Sequence, residues 1–233
     1  MKLQLFESVA LRPWIKPGFV VAFAGILVLC AYSGGRASAQ GGMSVQSIKS
    51  RAKTGKPAGR GPSANVGQEI RVVGSGFPAN ASVEFTAFAN STFLVGPVTA
   101  EPRRIAVDVP NESITGAVRV VTPEGGSSNA QTLQVVPTIK SVTPANPAPG
   151  DRILIDGAGF SPDAKVIFKG VAQPVVPAIV SPVRIDVTVP RMAKTGPLVV
   201  ATTGGKSKPM RLQLASGGSS QAPAPAPAAT KPH

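Results

Sequence analysis

From Gln68 to Leu214 apolar and polar side chains alternate in short runs. Ile70 and Val72 flank Arg71, and Ile105, Val107 and Val109 are separated by Ala106 and Asp108. Further on, Ile153 and Ile155 flank Leu154, and Ile185, Val187 and Val189 are separated by Asp186 and Thr188. Successive side chains of a strand point to opposite faces, so a period of two with β-branched residues predicts half-buried strands. Turn residues close each run: Gly74 with Gly76, Pro110 and Gly125-Gly126, then Gly157 with Gly159, Pro190 and Gly204-Gly205. Beyond the first forty residues no window of a dozen carries the 3.6-residue period of a helix.

The runs recur. Glu69-Ile-Arg-Val-Val-Gly-Ser-Gly-Phe77 aligns with Arg152-Ile-Leu-Ile-Asp-Gly-Ala-Gly-Phe160, and Ala81-Ser-Val-Glu-Phe85 with Ala164-Lys-Val-Ile-Phe168, both 83 positions apart. Arg104-Ile-Ala-Val-Asp-Val-Pro110 then aligns with Arg184-Ile-Asp-Val-Thr-Val-Pro190, and Thr115-Gly116 with Thr195-Gly196, now 80 apart. The second copy's middle loop is therefore three residues shorter. Two copies are too few for a solenoid, whose units need stacked neighbours, so each copy is expected to hold its own core. Six or seven short strands per copy predict an all-β fold of two tandem immunoglobulin-like β-sandwiches. Recurrent Phe77, Phe85, Phe160 and Phe168 are the expected core rings.

The second copy resembles the IPT/TIG family of immunoglobulin-like (E-set) domains along its whole length. It carries Ile139-Lys-Ser-Val-Thr-Pro144, Pro149-Gly150, Gly157-Ala-Gly-Phe160, Val166-Ile-Phe168, Val187-Thr-Val-Pro190 and Thr195-Gly196. The first copy resembles the family from Gln68 onward. Its opening, Val45-Gln-Ser-Ile48, lacks the following proline and leads into a longer basic stretch, Lys49 to Arg60. The resemblance implies IPT/TIG-like domains at 43–136 and 137–215.

The ends read differently. Lys2, Arg12 and Lys16 precede an apolar run from Phe19 to Tyr32, and Ala37-Ser38-Ala39 follows, so 1–39 is expected to be a signal peptide. The run of about 14 residues would cover about 21 Å as a helix, short of a roughly 30 Å hydrocarbon core. Membrane contact is expected only through this segment, if it is uncleaved. Alternating Ala and Pro after Ser216-Gly-Gly-Ser-Ser220 predict a disordered tail at 216–233.

Composition narrows the chemistry. The 233 residues hold one cysteine, Cys30, one histidine, His233, and one tryptophan, Trp14, all outside the two copies. Neither copy therefore has an imidazole to activate a nucleophile or a thiolate to bind metal. Neither G-x-G is followed by the further glycine, helix and acidic residue of a nucleotide site. Asp151, Asp156 and Asp163 form the densest acidic group, a calcium candidate, but their positions after turns suit local hydrogen bonding, and none recurs in the first copy. No catalytic residue, metal ligand or cofactor is expected, and the chain is not expected to be an enzyme.

The formal net charge is +13, and removal of 1–39 would leave +10. The candidate anionic-partner contact is Lys49, Arg51, Lys53, Lys56 and Arg60, five cations with no acid among them; the alternative is a solvated loop. No aromatic residues interleave to stack bases, which disfavours nucleic acid. The candidate partner loop is Thr86 to Glu101, where the copies differ in length, with Phe88, Phe93 and Leu94 as an apolar patch or as caps on the core. The expected function is an exported, non-enzymatic binding or scaffold protein, periplasmic, cell-surface or secreted, whose partner is an envelope or extracellular protein or an anionic polysaccharide. The alternative is a carbohydrate-binding accessory module.

Overall fold

The computed structural model describes residues 42–215. The expected signal peptide and tail lie outside the described residues.

In chain order the strands are β1 (Ser44–Lys49), β2 (Lys56–Pro57), β3 (Ser63–Ala64), β4 (Glu69–Ser75), β5 (Ser82–Ala87), β6 (Thr92–Val95), β7 (Thr99–Glu101), β8 (Arg104–Asp108), β9 (Ser113–Val121) and β10 (Gln131–Val135). There follow β11 (Thr138–Thr143), β12 (Arg152–Ala158), β13 (Lys165–Ile167), β14 (Ile179–Val180), β15 (Arg184–Thr188), β16 (Gly196–Thr202), β17 (Gly205–Lys206) and β18 (Met210–Leu212). The only helical element among the described residues is a 3-10 turn, Phe88–Asn90. No helix among them is long and apolar enough to cross a membrane. The fold is all-β and immunoglobulin-like.

Two hydrophobic clusters divide these strands into an N-terminal and a C-terminal half. The first gathers Ile70, Val72, Phe77, Phe85, Ile105, Val107, Val120 and Leu133, and the second Ile153, Ile155, Phe160, Phe168, Ile185, Val187, Leu198 and Val200. The period-two positions are thus the inward ones, and the four recurrent phenylalanines are all 4% exposed or less. Ala106 and Asp186, which alternate outward, are also buried at 8% and 9%. Both lie on central strands whose neighbours cover them, and Asp186 is bonded to Arg152 at 2.7 Å.

The sheets follow the repeat in the sequence. One four-stranded sheet runs β1-β4-β8-β7, and its counterpart runs β11-β12-β15-β14 by the same path. The other sheets are β3-β10-β9-β5-β6 and β13-β16-β17-β2, with β18 also on β16. Gly-x-Gly-Phe has one local explanation in both halves. A Cβ on Gly157 would collide with the Thr138 carbonyl oxygen and the Phe160 ring, so the glycine makes room for the ring, as Gly74 does for Phe77. Gly159, with φ +72°, then turns the chain so that the ring folds back over the strand.

Two features depart from expectation. The segment Thr86 to Glu101 is not one loop: it holds β6, at the edge of one sheet, and β7, at the edge of the other. In addition, β2, from the basic stretch of the N-terminal half, pairs with β17 of the C-terminal half, Lys56 opposite Lys206 and Pro57 opposite Gly205.

Candidate functional site

The basic stretch is held from beneath by two buried amides. Asn65 Oδ1 accepts from the Thr54 amide at 2.9 Å, while its Nδ2 donates to the carbonyls of Thr54 at 3.1 Å and Val136 at 3.0 Å. Gln68 Oε1 accepts from the Lys53 amide at 3.3 Å, and its Nε2 donates to the Arg51 carbonyl at 2.9 Å. A carboxamide offers both donors and an acceptor, so it can serve backbone groups as a neighbouring strand would. Further bonds run from the Ala52 amide to Ser63 Oγ, the Gly59 amide to Gln134 Oε1 and the Ala58 amide to the Gly204 carbonyl. The backbone is therefore fixed, whereas Lys49, Arg51, Lys53, Lys56 and Arg60 are all exposed. The residues that fix it, Asn65 and Gln68, carried no signal beyond being polar residues near a glycine.

Among the described residues none of the five cations is in an ion pair. The ion pairs among the described residues are Arg71–Glu69, Arg104–Glu101, Arg119–Glu84, Arg152–Asp186 and Arg184–Asp156. Lys56 instead faces Lys206 across the β2–β17 pair. Directly opposed side chains have Cβ atoms about 4.5–5.5 Å apart, and like charges in that arrangement repel.

Phe88, Phe93 and Leu94 are not brought together. Phe88 lies half-buried in the 3-10 turn. Phe93 pairs with the buried Phe85 and so lies on the core side of β6, 43% exposed at its open edge. Leu94 pairs with Glu84 on the outer side and is 60% exposed. Adjacent residues of a strand point oppositely, so the sequence run does not make one patch.

On that outer face Leu94, Thr92, Glu84, Arg119, Val121 and Gly126 line a shallow groove of about 390 Å³. Glu84 and Arg119 are bonded across β5 and β9. The hydrogen bond from Arg119 holds the Glu84 carboxyl below the usual glutamate range against the opposing effect of desolvation. A lowered folded-state value stabilises the fold above the unfolded value, about pH 4.3, and that contribution fades as pH falls. Glu84→Gln is therefore expected to lower the melting temperature at pH 7 and to converge on the parent protein as pH falls below about 4. Parallel melting curves at all pH values would contradict this reading.

The acidic candidates are dispersed into local bonds. Asp151 Oδ2 accepts from the Ala148 amide at 2.8 Å, Asp156 pairs with Arg184 at 2.7 Å, and Asp163 bonds Ser161 and the Thr203 amide. No group of three or more His, Cys, Asp or Glu among the described residues is placed to hold a metal ion.

Residues 137–222 match the IPT/TIG domain family. No curated protein matches the chain. Among solved structures, it is similar to a surface glycan-binding protein from Prevotella bryantii at 19% identity and TM-score 0.44, over 74% of this chain and 42% of that one. It is also similar to a protein from a complex xyloglucan utilization locus in Bacteroides uniformis, at 18% identity and TM-score 0.31, over 73% and 49%. A third is the gamma-CGTase of an alkalophilic Bacillus clarkii, at 15% identity and TM-score 0.31, over 77% and 27%. The chain spans less than half the length of each of these three structures.

Proposed function

We propose that this is an exported, non-catalytic binding protein of two IPT/TIG-like domains, 43–136 and 137–215, whose ligand is an anionic polysaccharide. The carrying observation is the exposed basic stretch, whose backbone is fixed by buried amides while Lys49, Arg51, Lys53, Lys56 and Arg60 have no acidic partner among the described residues. Fixing the backbone in advance reduces the entropy lost when a ligand binds. Exposed cations attract a polyanion in a strongly salt-dependent way. The full chain is expected to bind polygalacturonate at low salt, to lose about tenfold or more in affinity as ionic strength rises to 0.5 M, and to ignore neutral dextran. No binding to polygalacturonate or dextran sulfate at low salt would remove this reading.

A second reading, a protein partner that adds to a sheet, is supported by β6, an edge strand with unpaired backbone groups and the exposed Phe93 and Leu94. A Leu94→Lys variant that still captured the same envelope protein as the parent would count against it.

A further inference from the structure

The alignment of the two copies assigns their outer sheet faces opposite characters. In the N-terminal half, β5 presents Ser82, Glu84 and Thr86, and β9 answers with Arg119 opposite Glu84, so the main charges neutralise each other. At the aligned positions the C-terminal half has Lys165, Ile167 and Lys169 on one side, and Val199 in place of Arg119. The internal ion pair has become an aliphatic pair, Ile167 opposite Val199, and lysines stand on either side of it.

Register then gathers cations that are far apart in sequence. Lys165 is opposite Ala201, Ala201 is opposite Lys206, and Lys206 is opposite Lys56. Val166 and Val200, the neighbours of Lys165 and Ala201, are buried in the core, so the row lies on the outer face. Strands are spaced about 4.8 Å apart, so this row of three lysines around an alanine spans about 14 Å across the sheet. Four residues back along β16, or about 13 Å, is Pro197, opposite Arg211. Here Lys169, Arg211, Pro197, Pro209 and Met210 line a groove of about 400 Å³, large enough for a sugar ring. The Lys169 stem lies against Gly196, where a Cβ would displace it. Among the described residues none of these five cations is in an ion pair. The nearby Asp163 is bonded to Ser161 and the Thr203 amide.

We infer that this face is the polysaccharide-binding surface, with one anion subsite at Lys165, Lys206 and Lys56, a second at Lys169 and Arg211, and Ile167 and Val199 as the apolar floor between them. The ligand is an extended acidic polysaccharide carrying carboxylate or sulfate groups at both positions, with the aliphatic CH face of its sugars on the floor. The face lacks aromatic residues to stack bases, and its recessed groove receives a ring where a planar lipid surface has none to insert. Lys56 belongs to this face through β2, so the basic stretch joins the face at its open edge.

The inference rests on the proposed anionic-polysaccharide function, and two variants of the full chain separate the two. K165Q/K169Q/K206Q/R211Q and R71Q/R103Q/R104Q/K140Q each remove four exposed positive charges, the second set away from this face and from the basic stretch, so a response to net charge alone is the same in both. With polygalacturonate as probe at about 0.15 M salt, the first variant is expected to bind about tenfold or more weakly and the second less than about threefold. Galacturonic acid monomer is expected to compete poorly, because it fills one subsite at a time. Equal losses in the two variants, a larger loss in the second, or a monomer that competes per residue as well as the polymer would overturn the face while leaving polymer binding in place. Duplex DNA or anionic vesicles bound more tightly than polygalacturonate, and lost in the first variant, would overturn the polysaccharide as occupant. Absence of polymer binding by the parent protein would remove the function itself.

Discussion

Phe160→Ala is expected to destabilise the C-terminal half by about 3–5 kcal/mol, the range for truncating a buried aromatic ring. Phe160 has no exposed surface, and its ring lies in the space that Gly157 leaves beside the strand. That space borders the strand pair β11–β12, where Gly157 faces Ile139 and lies against the Thr138 carbonyl. Denaturant unfolding followed at amides of each half would show the loss in β12, β15 and β16, with β4, β8 and β9 affected much less. A loss below about 1 kcal/mol would mean that the ring sits in a looser site than described.

The second large effect comes from a residue with no charge. Asn65→Ala is expected to cost about 2–4 kcal/mol, because it leaves the Thr54 amide and the Thr54 and Val136 carbonyls without their partner at a largely buried position. It is also expected to weaken polygalacturonate binding with every cation retained, since the turn that carries Lys56 onto β17 hangs from that amide. Hydrogen exchange at the Thr54 and Ala58 amides is the direct measurement. Faster exchange there with unchanged polymer affinity would separate the turn from the binding face.

How much of this could be read in advance depended on how local the cause was. Strand periodicity and the Gly-x-Gly-Phe positions are local, and Ile70, Val72, Ile153, Ile155 and the four phenylalanines lie in the core as their spacing indicates. Phe88, Phe93 and Leu94 share the segment Thr86 to Glu101, but a strand sends the adjacent Phe93 and Leu94 to opposite faces. A difference in loop length marked Thr86 to Glu101, but length alone does not reveal that the chain changes sheets between β6 and β7. The basic stretch stood out by charge. Its partners did not, because Lys165 and Lys206 lie more than a hundred residues further along the chain and only register sets them beside Lys56. Asn65 and Gln68 look like ordinary turn residues until their side-chain atoms are followed to the backbone they hold.

The pairing of β2 with β17 has a consequence for modularity. A sequence repeat suggests units that can be cut apart, exchanged or reused singly, but the second unit's sheet is completed by a strand that precedes most of the first. A cut at 136/137 would leave the C-terminal piece with the bare edge of β17, a place where strands of other molecules can add. Recombination that inherits the second unit alone would thus gain a sticky domain and lose Lys56 in the same event. The sheet of the C-terminal half is complete only with a strand from the N-terminal half.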